Sequence, residues 1–121
     1  MADDLGGADL GCYGARTIRT PRLDSLAEQG LRLLHGYSNS PVCSATRTAL
    51  MTGRYQYRLP CGLEEPIFGG EVGLPASEPT LPKTLKALGY RTTLVGKWHL
   101  GERPRFSPLK SGYDRFFGIQ G

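Results

Sequence analysis

Three short stretches of this sequence bring reactive side chains close together: Asp3 and Asp4 in "ADDLG", Cys43 and Arg47 in "CSATR", and Lys97 and His99 in "GKWHLG". Adjacent carboxylates raise the cost of ionising one another, and a hard divalent cation relieves that repulsion through oxygen ligation. Asp pairs in Gly-rich segments also act as turn and capping groups, so the pair alone leaves both readings open. Cys43 stands one helical turn before Arg47. At a helix N-terminus a side chain meets unpaired N–H groups and the positive end of the helix dipole, which stabilise a thiolate or a bound oxyanion. The alternative is a buried, inert thiol. Only residues 44–46 separate Cys43 from Arg47, too few to wrap a phosphate, which argues against a thiol phosphatase loop. Lys97 and His99 are two apart, so in extended chain they face one side and suit a single anion, while Trp98 turns the other way into packing. The "GK" there lacks the upstream glycine and following Ser or Thr of a nucleotide-binding loop.

The elements that must carry these side chains can be read from periodicity and punctuation. Thr20 is placed to N-cap a helix with Pro21 at its first position; Leu23, Leu26 and Ala27 share a face, and Gly30 stops it. "LRLLHGYS" reads as a strand. "ATRTALMTG" reads as a helix ending near Gly53, with Cys43 at its mouth, and residues 55–79 form a long Gly- and Pro-rich connection. Leu81, Leu85 and Leu88 fall at helical spacing, Pro82 lies in the first turn, Gly89 ends the helix, and "YRTTLV" is then rich in β-formers. Short helices alternating with short apolar segments indicate an α/β class. "GKWHLG" then forms a polar turn at a strand's end, and a first strand lying before this sequence is expected to place Asp3 and Asp4 at its carboxyl end, where open α/β sheets assemble ligand sites.

Composition narrows the partners. With 15 Lys and Arg against 11 Asp and Glu, the net charge of +4 suits an anionic substrate and is too small and dispersed for nucleic acid. No apolar run approaches the ~20 residues of a membrane span, and "MADDLGGADLG" has neither the basic nor the apolar region of a signal peptide. Cys12, Cys43 and Cys61 form an odd set without CxxC spacing, which signals neither a disulfide framework nor a zinc site. Cys12, Cys61 and His35 have no chemical partners nearby in sequence and are read as structural. Both ends are abrupt, so residues 1–121 are expected to be part of a larger catalytic domain whose first strand and later portion lie elsewhere, leaving the isolated piece inactive.

Together "ADDLG", "CSATRTALMTGR" and "GKWHLG", in this order and spacing, resemble the metal-binding start and the two signature stretches of the type I sulfatases of the alkaline phosphatase superfamily. The resemblance extends through "TPRLDSLAEQGLR", "YSNSPVC" and "LPKTLKALGYRT" and so covers almost the whole chain. It implies the N-terminal part of an alkaline-phosphatase-like fold, with a mostly parallel central sheet flanked by helices.

For function, the resemblance implies a sulfuric ester hydrolase, arylsulfatase-like, in which Cys43 is converted to formylglycine by a formylglycine-generating maturase. The hydrated aldehyde attacks the sulfur of a sulfate ester, and its second hydroxyl expels sulfate by elimination, a sequence a thiol cannot perform. By the same pattern Asp3, Asp4 and the modified Cys43 ligate a divalent metal, Ca²⁺ or alternatively Mg²⁺. Arg47 supports the modified side chain, His99 hydrogen-bonds it, and Lys97 contacts the sulfate oxygens. The implied substrate is an aryl sulfate or a sulfated carbohydrate, and the implied compartment is periplasmic or extracellular. Ala45 and Thr46 stand where proline and serine are commonest in the family motif, which leaves the choice of maturase open. The alternatives are a phosphonate or phosphate ester hydrolase of the same superfamily, or a catalytically inactive fragment.

Overall fold

The computed structural model describes residues 1–61, 67 and 71–120, so part of the Gly- and Pro-rich connection lies outside the described residues. The chain divides into two compact units, Met1–Tyr37 and Ser38–Gly121.

In the first unit a 3-10 turn, Gly11–Tyr13, leads to helix α1, Pro21–Gln29. Thr20 is the N-cap residue and Pro21 opens the helix, as the sequence predicts, but the Thr20 side chain does not cap α1. Its hydroxyl donates to Asp24 Oδ1 (2.9 Å) and accepts from the Gly11 N–H (2.8 Å). Asp24 also accepts from the Cys12 N–H at 2.7 Å. The hydroxyl thus fastens α1 to the preceding turn rather than satisfying the helix's own N–H groups. The strand expected over "LRLLHGYS" is not formed: residues 31–38 are irregular with a turn at 34–35, and Leu31, Leu33, Leu34 and Tyr37 are exposed. An apolar β-rich run becomes a strand only when another strand accepts its backbone hydrogen bonds, and none pairs with it among the described residues.

The second unit holds α2, Cys43–Thr52; α3, Leu81–Ala87; and the strands β1, Thr93–Lys97, and β2, Arg115–Ile119. The helix predicted over "ATRTALMTG" is present and begins two residues earlier, at Cys43, with Gly53 in the left-handed conformation (φ 68°) and its N–H donating to the Ala49 carbonyl, the closure glycine provides without a Cβ penalty. β1 and β2 pair in parallel, Thr93 opposite Arg115 through Lys97 opposite Ile119. Pairing continues beyond the strands, with Trp98 N–H donating to Ile119 O (2.9 Å) and His99 N–H to Gln120 O (2.7 Å). Gly96 faces Gly118 in this register. A Cβ on Gly118 would come within 1.9 Å of the Gly96 carbonyl oxygen, so only glycine permits this approach.

The core is a cluster of Leu59, Leu74, Trp98 and Leu100, against which Met51, Ile67, Leu94, Tyr113 and Phe116 pack. Trp98 meets the Tyr113 ring edge-on and donates its indole N–H to the Phe106 carbonyl at 2.8 Å. Its polar tip is therefore satisfied inside apolar surroundings. Leu94 and Phe116 put the inner face of the β pair on this core, so the end of β1 is held by burial as well as by pairing.

Asp114 closes the turn into β2. It accepts from Lys86 Nζ (2.5 Å) and from the Thr92 N–H (2.9 Å). The Lys86 hydrogen bond, followed by that from the Thr92 backbone, holds its carboxyl down to about 2. A carboxylate depressed in the folded state stabilises above its unfolded value of about 3.9 and loses that contribution as pH falls through its folded value. The chain is therefore expected to lose denaturant resistance between about pH 4 and pH 2, and Asp114→Asn to flatten that part of the profile. Identical slopes for the two proteins would show that Asp114 is not linked to folding.

Candidate active site

α2 carries the cysteine. Val42, in extended conformation, is its N-cap residue and Cys43 its first helical residue, with no acidic side chain in the first turn to offset the dipole. The entry is fastened from outside the helix: Thr46 Oγ1 donates to the Ser40 carbonyl (2.7 Å), the Val42 N–H to Ser40 Oγ (3.1 Å), and Asn39 Nδ2 to Gln56 Oε1 (2.7 Å). The α2 residues behind Cys43 are packed away, Ser44, Ala45, Arg47 and Thr48 being buried, while Cys43 itself is half-buried and free of disulfide bonding.

β1 carries the partners. Lys97 is its last residue and His99 lies just beyond. The sequence predicts that Lys97 and His99 share a side through extended geometry; the chain instead turns at His99, whose φ is +52°. Histidine is among the few residue types enriched in the left-handed region, and such backbone costs on the order of 1–3 kcal/mol wherever packing imposes it. Here it turns the imidazole inward: His99 is buried, with Nδ1 3.0 Å from Cys43 Sγ and Nε2 3.1 Å from the Ile67 carbonyl oxygen. Arg47 Nη1 donates to the Lys97 carbonyl at 2.6 Å, tying α2 to the carboxyl end of β1. Cys43, Arg47, Lys97 and His99, drawn from two stretches some fifty residues apart, therefore meet at one end of the β pair.

Ser44 and Ile67 are participants that sequence reasoning did not find. The Ile67 N–H donates to Ser44 Oγ at 3.2 Å, while its carbonyl faces His99. Main-chain groups carry these contacts, so no side-chain pattern announces them; the adjacency of Ser44 to Cys43 is the one sequence clue. Asp3 and Asp4 belong to the first unit, where both are exposed and Asp4 has φ +55°. Their oxygens have the chemistry that hard cations prefer, but two carboxylates supply only part of the six to eight oxygen ligands of calcium. Among the described residues no group of three or more His, Cys, Asp or Glu side chains is arranged to hold a metal ion.

The sequence matches the Sulfatase family model over residues 1–121. The chain belongs to the sulfatase family. It is similar to steryl-sulfatase of Mus musculus, 44% identical over 98% of this chain and 21% of that protein. It is likewise similar to N-acetylgalactosamine-6-sulfatase of Homo sapiens, 44% identical over 98% of this chain and 24% of that protein. Among solved structures, that of the PsFucS1 sulfatase from Pseudoalteromonas sp. superposes with a TM-score of 0.86 at 42% identity, covering 98% of this chain and 24% of that one. The α/β class expected from the alternation of elements and the alkaline-phosphatase-like fold expected from the resemblance are those of this sulfatase structure. The chain spans about a quarter of the length of the relatives it matches. No helix among its described residues is long and apolar enough to cross a membrane.

Proposed function

We propose that this sulfatase-family chain is the nucleophile-bearing part of a catalytic domain that hydrolyses sulfate esters, with Cys43 as the precursor of formylglycine. The observation that carries the reading is the meeting of Cys43 Sγ with His99 Nδ1, at 3.0 Å, on the first turn of a helix without acidic residues there. In the mature enzyme formylglycine at position 43, as its hydrate, would supply the nucleophilic hydroxyl; Asp3 and Asp4 would be among the ligands of a divalent metal, Ca²⁺ or Mg²⁺, whose chemistry would be to lower the cost of ionising that hydroxyl.

The chain's own residues then divide the remaining work. His99 accepts a proton at Nδ1 from the side chain at position 43, a general-base role that its hydrogen-bond distance suits. Arg47 adds fixed positive charge one turn behind the nucleophile, and the N-terminus of α2 adds its dipole. Lys97, at the carboxyl end of β1, is assigned to the sulfate oxygens, whose charge its ammonium offsets as the ester bond breaks. A sulfated carbohydrate or an aryl or steroid sulfate is the substrate class, in keeping with relatives named N-acetylgalactosamine-6-sulfatase and steryl-sulfatase. The partner that prepares the site is a formylglycine-generating maturase, and the compartment is periplasmic or extracellular by family likeness.

The test is co-production with each class of maturase, followed by peptide mass analysis across residues 41–54 and assay of the modified protein on aryl sulfate and aryl phosphate. An aldehyde or its hydrate at position 43, with sulfate ester turned over in preference, is the expected result. Preference for phosphate would move the reading to the phosphate and phosphonate ester hydrolases of the superfamily. A thiol left intact by every maturase would remove the proposed nucleophile.

A further inference from the structure

We propose that Ser44 is a positioning residue for the side chain at position 43, acting through the Ile67 peptide and His99; the inference deepens the sulfatase reading and rests on it. The hydrogen bonds form a closed circuit. Ser44 Oγ accepts the Ile67 N–H (3.2 Å), the Ile67 carbonyl faces His99 Nε2 (3.1 Å), and His99 Nδ1 faces Cys43 Sγ (3.0 Å). Cys43 and Ser44 are consecutive, so the peptide bond between them completes the ring.

The circuit fixes a chemical property. A carbonyl oxygen is only an acceptor, so His99 Nε2 must be the donor in that contact. In neutral imidazole the other nitrogen then carries a lone pair, which leaves Nδ1 to accept from the thiol now and from a hydroxyl after modification. Without the Ile67 carbonyl, the ring could equally present an N–H to position 43 and would be unable to take its proton. What holds the Ile67 peptide is therefore what selects the productive form of His99. Its side chain packs on the Leu59, Leu74, Trp98 and Leu100 cluster, and Ser44, which has no solvent exposure, grips its N–H. Ser44 is itself held by α2, where its carbonyl accepts from Thr48 Oγ1 at 2.8 Å.

The chain has two histidines, His35 and His99, so nitrogen NMR of the ¹⁵N-histidine-labelled 121-residue chain can read His99 directly, with His99→Gln for assignment. The sample is the unmodified thiol form above neutral pH, without maturase or substrate. In the wild type, His99 is expected to show a pyrrole-type Nε2 and a pyridine-type Nδ1, the Nε2–H form leading by roughly tenfold, the scale of one buried hydrogen bond. In Ser44→Ala the two nitrogen shifts are expected to move toward each other as the forms mix.

A wild-type ring dominated by Nδ1–H, or evenly mixed, overturns the proposal, and so does a folded Ser44→Ala chain with unchanged shifts. Amide exchange of Ile67 in the wild type is the independent check that needs no variant: protection supports the grip by Ser44, and exchange at the rate of an open amide overturns it even if Ser44→Ala fails to fold. Because the readout precedes modification and turnover, a negative result leaves sulfate ester hydrolysis standing. Conversely, an enzyme found inactive on sulfate esters leaves the tautomer result intact.

Discussion

Cys43→Ala is expected to lower kcat for sulfate ester hydrolysis by roughly 10⁶-fold in the maturase-treated enzyme, the scale on which removal of a covalent nucleophile acts. The expectation follows from what alanine leaves behind. His99 Nδ1 loses the partner now 3.0 Å away. The remaining hydroxyl at the start of α2, that of Ser44, is fully buried and engaged by the Ile67 N–H, and as a single hydroxyl it cannot release sulfate by the elimination a geminal diol allows. Stability should change by less than ~1 kcal/mol, because Cys43 is half-buried at a helix start and lies outside the Leu59, Leu74, Trp98 and Leu100 cluster. Parallel turnover assays and denaturant titrations separate the two effects. Activity within tenfold of wild type would remove Cys43 from the chemistry, and a large loss of stability would show that it belongs to the packing instead.

Much of the positioning of that cysteine was legible in the sequence. The glycine at position 53 marked where α2 ends, and the β-rich run after Gly89 marked β1, so the cysteine and the "GKWH" pair could each be assigned to an element's end. Punctuation residues act locally, which is why they can be read without a structure. The meeting of the two ends could not be read in that way. It depends on a left-handed turn at His99, where the sequence offered only alternation, and on hydrogen bonds to the Ile67 main chain, which every residue type except proline could supply.

The misplaced strand at "LRLLHGYS" has a related cause. Residue type shows that a segment tolerates extended backbone, but a strand exists only with a partner, and partnership is not local. The apolar spacing in α3 is limited likewise: it marks one face with Leu81, Leu85 and Leu88, yet Leu81 and Leu88 are exposed. Periodicity says which side of a helix is apolar and is silent on what covers it. For Asp3 and Asp4 the motif carried the reading, since two exposed carboxylates have no chemistry to distinguish them from a solvated turn.

Arg47→Ala is expected to reduce kcat/KM by about 10³-fold, at the upper end of what loss of one electrostatic stabiliser costs, and to destabilise the fold by ~2–3 kcal/mol, the worth of a charge-assisted buried hydrogen bond. Both effects have one structural source. Arg47 is buried on α2, and its Nη1 donates to the Lys97 carbonyl at 2.6 Å. That bond sets the spacing between the helix that carries Cys43 and the strand end that carries Lys97 and His99, so the variant loses positive charge and alignment together. Arg47→Lys separates the two contributions: it keeps the charge but replaces a rigid guanidinium fork by a single flexible ammonium. If alignment dominates, lysine should recover stability only partly and leave kcat/KM within about tenfold of the alanine variant, because misplacement by ~1 Å alone can cost about 10²-fold. Near-complete rescue by lysine would mean that charge is what matters at this position and that β1 finds its place without the tie. An alanine variant with wild-type turnover would remove Arg47 from the site altogether.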